Sequence, residues 1–337
     1  LFDNTFAGQL IVLGVLALGS LYLSLRGGMK RLLRGLKDNW RFIMSVEAIF
    51  LAAYAAFVFF RAASPKIAFT EKPMELAFLN AILRSKEISP QDPWLSGYSI
   101  SYYYFGYWMV AMLARLTGTI STVAFNLSQA VWFALSASSV YAILVDLFAL
   151  SQKPENAPRK ITGWMRRWAV FAPIFLLLLG NAYGFFDVLH ARGVFWSRTQ
   201  EGSASSWFWA WADLRGLDQP PNEPLQWQPD RSGVVSWWNA SRVLQDIDYA
   251  GQPVEVIDEF PNFSFVLGDL HPHLLALPFV LVAIGLALNY FNTSSSEAFT
   301  LGNWTFPFNP ARFVVVAGLI GALAFLNTWD WPIYAAL

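Results

Sequence analysis

Apolar residues in this chain run in long blocks, and charge is gathered into the stretches between them. Runs at 5–25, 42–60, 123–150, 168–186, 274–291 and 312–325 are near the ~20 residues a helix needs to cross a bilayer. They predict an all-α polytopic membrane protein with about six spans. A seventh run, 101–118, decides the topology, because counting it moves every later loop to the other side.

Basic residues arbitrate, since short cytoplasmic loops carry an excess of Lys and Arg. The stretch after the first run holds Arg26, Lys30, Arg31, Arg34, Lys37 and Arg41, and is expected to be a cytoplasmic loop. The linker at 151–167 holds Lys153, Arg159, Lys160, Arg166 and Arg167. The two share a side only if an even number of crossings separates them. Runs 42–60 and 123–150 supply two, so 101–118 is expected to lie in the interface. Its Tyr102, Tyr103, Tyr104, Tyr107, Trp108 and Arg115 suit such a helix.

The expected layout is an N-terminal span with a basic loop (1–41), then a membrane domain (42–337). Its first external segment is 61–122 and its second is 187–271, with a neutral inner loop at 292–311. The second segment holds 12 of the 23 acidic residues and many Trp and Pro. It is too long for a bare connector and is expected to fold on the membrane surface or over a cavity. Within the first segment, 72–85 reads as a short helix, ended by Ser89-Pro90-Gln91-Asp92-Pro93.

Composition agrees: 55% of residues are hydrophobic and only 14% charged, against about 25% charged in soluble domains. Zero net charge argues against a nucleic-acid partner. With no cysteine, disulfides, thiol nucleophiles and thiolate metal sites are excluded. The chain starts at Leu1 and stops at Leu337 in an apolar aromatic stretch, which reads as a C-terminally incomplete chain.

Two of the three histidines lie in Gly268-Asp269-Leu270-His271-Pro272-His273, at the mouth of an apolar run. In extended chain, Asp269, His271 and His273 would share one face. Carboxylate plus imidazole suits a divalent metal ion, or acid–base work near neutrality. Pro272 equally suits the first turn of a helix, with His271 near its cap. Glu259 lies nearby in sequence. The first segment offers Glu71, Glu75 and Asp92, and Glu47 lies inside an apolar run where it needs a partner. Tyr102-Tyr103-Tyr104 and Trp329-Asp330-Trp331 combine aromatic faces with polar tips, as sugar recognition needs, or form an interfacial belt. Arg61, Lys66, Arg84 and Arg115 are candidate phosphate partners, or snorkelling charges.

The strings EKPMELAFLNAILRS, DPWLSGYSISYYYFGY, EFPNFSFVLGDLHPHLLALPF and NTWDWP together resemble a family of prokaryotic membrane proteins of unknown function named for its YYY motif. That likeness runs from about Glu71 to the end. The family often has Asp where this chain has Glu75. It is similar, more distantly, to GT-C glycosyltransferases, multi-span enzymes that use lipid-phosphate-linked sugars. This resemblance implies a GT-C-like fold in the prokaryotic cell membrane, with a polyprenyl-phosphate-linked sugar donor used at the outer face. By position it makes Glu75 the base or metal ligand and Asp269 a catalytic and metal-binding acid. Asp269, His271 and His273 would hold metal or the departing phosphate. Glu259, Tyr103, Trp329, Asp330 and Arg115 would line the substrate site. The long second segment departs from the short loop common in GT-C enzymes. Two other classes stay open: a non-catalytic subunit of a membrane complex that binds a pigment, haem or partner, and a transporter. Against the latter, the ionisable groups gather outside the spans.

Overall fold

A computed structural model describes residues 3–87, 89–152, 161–198, 204–222, 225, 235–243, 245–291, 299–306 and 310–337. The chain is mostly helical and divides into two compact units, Leu1–Ile174 with Gly268–Leu337, and Phe175–Leu267. In chain order the first unit opens with α1 (Phe6–Leu23), α2 (Met29–Ala63), α3 (Lys72–Arg84), α4 (Phe105–Thr117), α5 (Ser121–Ser151), α6 (Gly163–Trp168) and α7 (Phe171–Ile174). The second unit holds α8 (Tyr183–Ala191), β1 (Ser197–Arg198), β2 (Ala204–Ser205), α9 (Trp207–Ala212), α10 (Val235–Ala240), β3 (Gln245–Ile247), β4 (Pro253–Glu255) and α11 (Pro261–Leu267). The first unit resumes with α12 (Pro272–Phe291), β5 (Phe299–Leu301), β6 (Trp304–Phe306), α13 (Pro310–Leu326) and α14 (Asp330–Ala336). Each strand pair is a separate antiparallel hairpin.

Among the described residues, four helices are long and apolar enough to cross a membrane: Phe6–Leu23, Leu32–Ala63, Ser121–Ser151 and Pro272–Phe291. Of the six expected spans, these match four. Arg312–Leu326 is apolar but shorter. The run at 168–186 is not one straight helix. It passes through α7 and a π-helical turn, Phe175–Leu179, then breaks before α8. Gly180 and Ala182 both adopt positive φ at that break, which ends any helix.

The expected basic loop after the first span is also corrected. A π-helical turn, Ser24–Gly28, leads straight into α2, so most of those basic residues sit on helix. Asn39 leaves the helical region (φ −114°, ψ 15°) and breaks α2 there. Of the 151–167 linker, Lys153, Arg159 and Lys160 lie outside the described residues, as do Glu201, Glu223 and Asp230 of the acidic segment. Run 101–118 becomes α4, only 13 residues long. At 1.5 Å per residue it covers about 20 Å, short of the ~30 Å hydrocarbon core.

In the first unit α5 is the central helix. It packs on α2 and α12 and is apolar all round, as an enclosed helix should be. Ala124, Ser128, Ala134, Ser136 and Ala137 are small buried residues along it that let neighbours approach. Phe57 of α2 stacks on Phe133 of α5 at 4.6 Å between ring centroids. Pro278 inside α12 has no N–H for the Leu274 carbonyl. On the next residue, the Leu275 carbonyl accepts a 2.8 Å bond from Trp132 Nε1 of α5. Helix α3 starts with Pro73 and carries Arg84 in its last turn, both suited to their ends. Its buried face is Lys72, Glu75, Phe78, Leu79 and Ile82, a helical spacing that places two charged residues among apolar ones.

The second unit has its own core of Tyr183, Trp209, Leu217 and Ala240. Trp209 Nε1 donates to the Val194 carbonyl (2.9 Å), and Tyr183 Oη to the Arg215 carbonyl (2.6 Å). The third histidine, His190, is buried here, with Nε2 2.7 Å from the Gln219 carbonyl. Asn262 Nδ2 donates to the Leu177 and Leu178 carbonyls beside the helix break. So this acidic, Trp-rich segment folds around its own core, which its length implies.

Candidate functional site

The site is built around one tripeptide, Gly268-Asp269-Leu270, held from four directions. Gln129 of α5 donates Nε2 to the Gly268 carbonyl at 2.7 Å. The guanidinium of Arg61, at the end of α2, lies against Gly268 where a Cβ would be. Gly268 also has φ +82°, so glycine is required there twice over. Thr70 donates Oγ1 to Asp269 Oδ1 at 2.7 Å. Glu75 of α3 accepts the Leu270 N–H at 2.8 Å.

Arg61 is itself fixed. Its Nε and Nη2 both donate to Asn126 Oδ1, at 3.2 and 2.6 Å. Asn126 Nδ2 in turn donates to the Pro65 and Thr122 carbonyls. The loop from α2 to α3 is thereby tied to α5. At its end Phe69 and Thr70 both take positive φ (66° and 53°). For a β-branched residue that is a strained conformation, of the kind that persists where the surroundings hold it. Here it aims the Thr70 hydroxyl at Asp269.

The charges interact strongly. Glu75 is fully buried, and Asp269 and Lys72 nearly so. Burial, reinforced by the nearby Asp269 carboxylate, pushes the Glu75 carboxyl well above the usual range, with the Leu270 N–H pulling the other way. Tyr107 Oη of α4 lies 3.4 Å from Glu75 Oε1. Burial lowers the Lys72 ammonium, opposed by Asp269. Asp269 thus faces two cations, Arg61 and Lys72, beside a Glu75 whose uncharged form burial favours.

Beside Arg61 opens an apolar cavity of about 600 Å³. Val58, Ala62, Ile67, Leu76, Val123 and Leu127 line it, with Arg61 and Asn126 supplying polar atoms.

The two remaining histidines take a different arrangement from the extended one expected. Pro272 starts α12, and the His271 carbonyl accepts from the Leu274 and Leu275 N–H groups, so His271 caps the helix. The extended face cannot form once the helix begins at Pro272. The two rings still converge, with Nδ1 atoms 2.7 Å apart. His271 Nε2 lies 3.4 Å from Glu71 Oε2. Asp269 contributes no ligand atom to the set gathered around these rings.

Other expected residues fall as follows. Asp330 opens α14, accepts from Asn327 Nδ2 at 3.1 Å, and is raised by burial, with His273 acting the other way. Trp329 is 79% exposed. Tyr103 is half-buried against Tyr102. Glu259 is exposed in the second unit. Arg115 is a structural clamp: it donates to Asn4 Oδ1 (2.7 Å) and to the Leu83 carbonyl (3.2 Å). Asp92 accepts the Trp94 and Leu95 N–H groups and shapes a turn. Glu47 is exposed on α2, and Lys66 lies over the Phe69 ring.

Sequence reasoning missed Thr70, Lys72, Asn126 and Gln129, and placed Tyr107 only among interfacial aromatics. Lys72 had a signal, since it shares the helical face of Glu75 and Leu79. Tyr107 and Gly106 explain part of the YYYFGY string: Gly106 lets α4 meet α12, where a methyl group would sit 2.5 Å from Leu275 Cδ1.

A family described as "Uncharacterized membrane protein (DUF2298)" matches residues 1–337. The chain belongs to it. Membership in DUF2298 covers the whole chain, where the resemblance in the sequence began only near Glu71. With its apolar helices, membership makes this DUF2298 chain a membrane protein. Neither curated proteins nor solved structures give a match.

Proposed function

We propose that this DUF2298 protein is a membrane glycosyltransferase that takes a sugar from a polyprenyl-phosphate-linked donor at the outer face. One observation carries the reading: an apolar cavity that ends on the buried Arg61, with Lys72 and Asp269 beside it. A lipid-linked phosphate has that polarity, an apolar chain and an anionic head. The chain would lie along Val58, Ala62 and Leu127, and the phosphate would face Arg61 and Lys72.

In the transfer, the bond between the anomeric carbon and the phosphate oxygen breaks. The acceptor oxygen bonds to that carbon, its proton passes to Asp269, and the polyprenyl phosphate departs. Asp269 takes this role over Glu75, because Asp269 faces the Arg61 and Lys72 cations whereas burial favours the uncharged form of Glu75. Glu75 positions Asp269 through the Leu270 N–H. Tyr103, Trp329 and Asp330 offer aromatic faces and a carboxylate for the sugar. The GT-C resemblance implies a divalent ion shared by Glu75 and Asp269. These residues do not fit it: burial favours the uncharged form of one, and the other already faces two cations. No step runs through such an ion.

The test is consumption of a panel of polyprenyl-phosphate sugars by purified full chain in vesicles. Asp269→Asn is expected to slow consumption about 10²–10⁴-fold per folded molecule. Equal consumption by the variant, or none by the wild type with any donor, overturns the proposal.

A further inference from the structure

His271 and His273 approach each other in a way that serves no packing purpose. One ring comes from the cap of α12 and the other from its first turn, and both are only partly exposed. Their Nδ1 atoms lie 2.7 Å apart. Two unprotonated nitrogens repel at that distance, and two protonated ones repel more. The contact is satisfied either by one Nδ1–H donating to the other Nδ1 or by a metal ion that both nitrogens ligate.

The other face of His271 favours the metal. Its Nε2 lies 3.4 Å from Glu71 Oε2. A carboxylate on the distal ring nitrogen is how metal-bound histidines are oriented and made more basic. Glu71 closes the strained loop that precedes α3, so its place is set by the same loop that aims Thr70. Asp330 faces His273 from α14 and adds a second carboxylate nearby.

We propose that His271 and His273 bind a borderline-soft divalent ion, of the Zn²⁺ or Co²⁺ class, through their Nδ1 atoms, with Glu71 orienting His271. Zinc–nitrogen bonds of ~2.0–2.1 Å in a tetrahedral site put two ligand nitrogens about 3.3 Å apart. A small rotation of the two rings reaches that from 2.7 Å. Two protein nitrogens leave coordination positions for water or a substrate oxygen, as in an open site. The site stands independently of sugar transfer, because none of its residues has a role in the proposed step.

The experiment titrates metal-free full chain in detergent with Co²⁺ alone and follows its visible d–d absorption, with metal content measured after gel filtration. The expected result is one Co²⁺ per chain, displaced by Zn²⁺. Binding should be lost in His271→Ala and His273→Ala. In Glu71→Gln, which changes a half-exposed side chain, it should weaken about 10–100-fold. Melting curves of the metal-free variants separate lost ligands from lost fold. Failure of the wild type to bind Co²⁺ would make the pair a shared-proton contact and overturn the proposal. Binding that survives both histidine variants, or loss of binding only together with loss of fold, would overturn it too.

Discussion

Glu75 Oε2 and the Leu270 N–H meet at 2.8 Å across 195 residues of sequence. The bond couples the first turn of α3 to the residue before the histidine cap of α12. It also explains how a carboxylate survives at 0% exposure: its oxygens have donors in the Leu270 N–H and Tyr107 Oη.

The upward shift of the Glu75 carboxyl gives a pH signature. The folded-state value for Glu75 is raised, so its favourable contribution is complete below the unfolded carboxyl value, about 4.3. It is lost as pH rises toward the folded value. Stability should fall with pH in that window by up to about 1.4 kcal/mol per unit. Glu75→Gln mimics the protonated acid and should keep the fold while flattening the slope. Thermal melts of both proteins from pH 5 upward check this; an unchanged slope in the variant would show that another group titrates.

Arg115 should matter for stability and not for substrate. Together with Asn4 it ties the open carbonyls at the end of α3, Ile82, Leu83 and Ser85. Arg115→Gln is expected to cost about 1–3 kcal/mol, seen in chemical unfolding, with unchanged sugar consumption per folded molecule.

Gly106→Ala forces a methyl group onto Leu275. Overpacking of this kind costs about 1–3 kcal/mol. At Gly97, which unlike Gly106 is at positive φ and has open space around it, alanine meets no neighbour and pays only backbone strain. Comparing the two melts separates steric from conformational cost.

Filling the cavity tests its proposed occupant. Ala62→Trp should lower donor affinity at least ~10-fold, about 1.4 kcal/mol, and leave the melt within about 1 kcal/mol of wild type. The readout is donor KM in the vesicle assay.

The helices that form the first unit were largely legible in the sequence. The run 72–85 and the apolar runs matching α5, α12 and α13 emerge within a few residues of their expected ends. Breaks were not. The Gly180 and Ala182 interruption depends on backbone conformation, which hydropathy does not encode, and basic residues after the first run read as loop although they sit on helix. At the site, acidic groups stood out because charge is scarce here. Thr70, Asn126 and Gln129 did not, since an uncharged polar residue acquires meaning only from what it touches. His271 and His273 were found by spacing, and of the two arrangements the sequence left open, extended chain or helix cap, Pro272 settles the cap.

The tripeptide at 268–270 also has a consequence for biogenesis. α2, α3 and α5 leave the ribosome long before Gly268 does. At about 5–20 residues per second, Leu270 follows Glu75 by roughly 10–40 s. Until then Arg61, Lys72 and Glu75 lack the partner that lets them be enclosed, and must stay hydrated. The nascent helices therefore cannot close early around an incomplete centre, and arrival of the later segment sets the moment at which water leaves it.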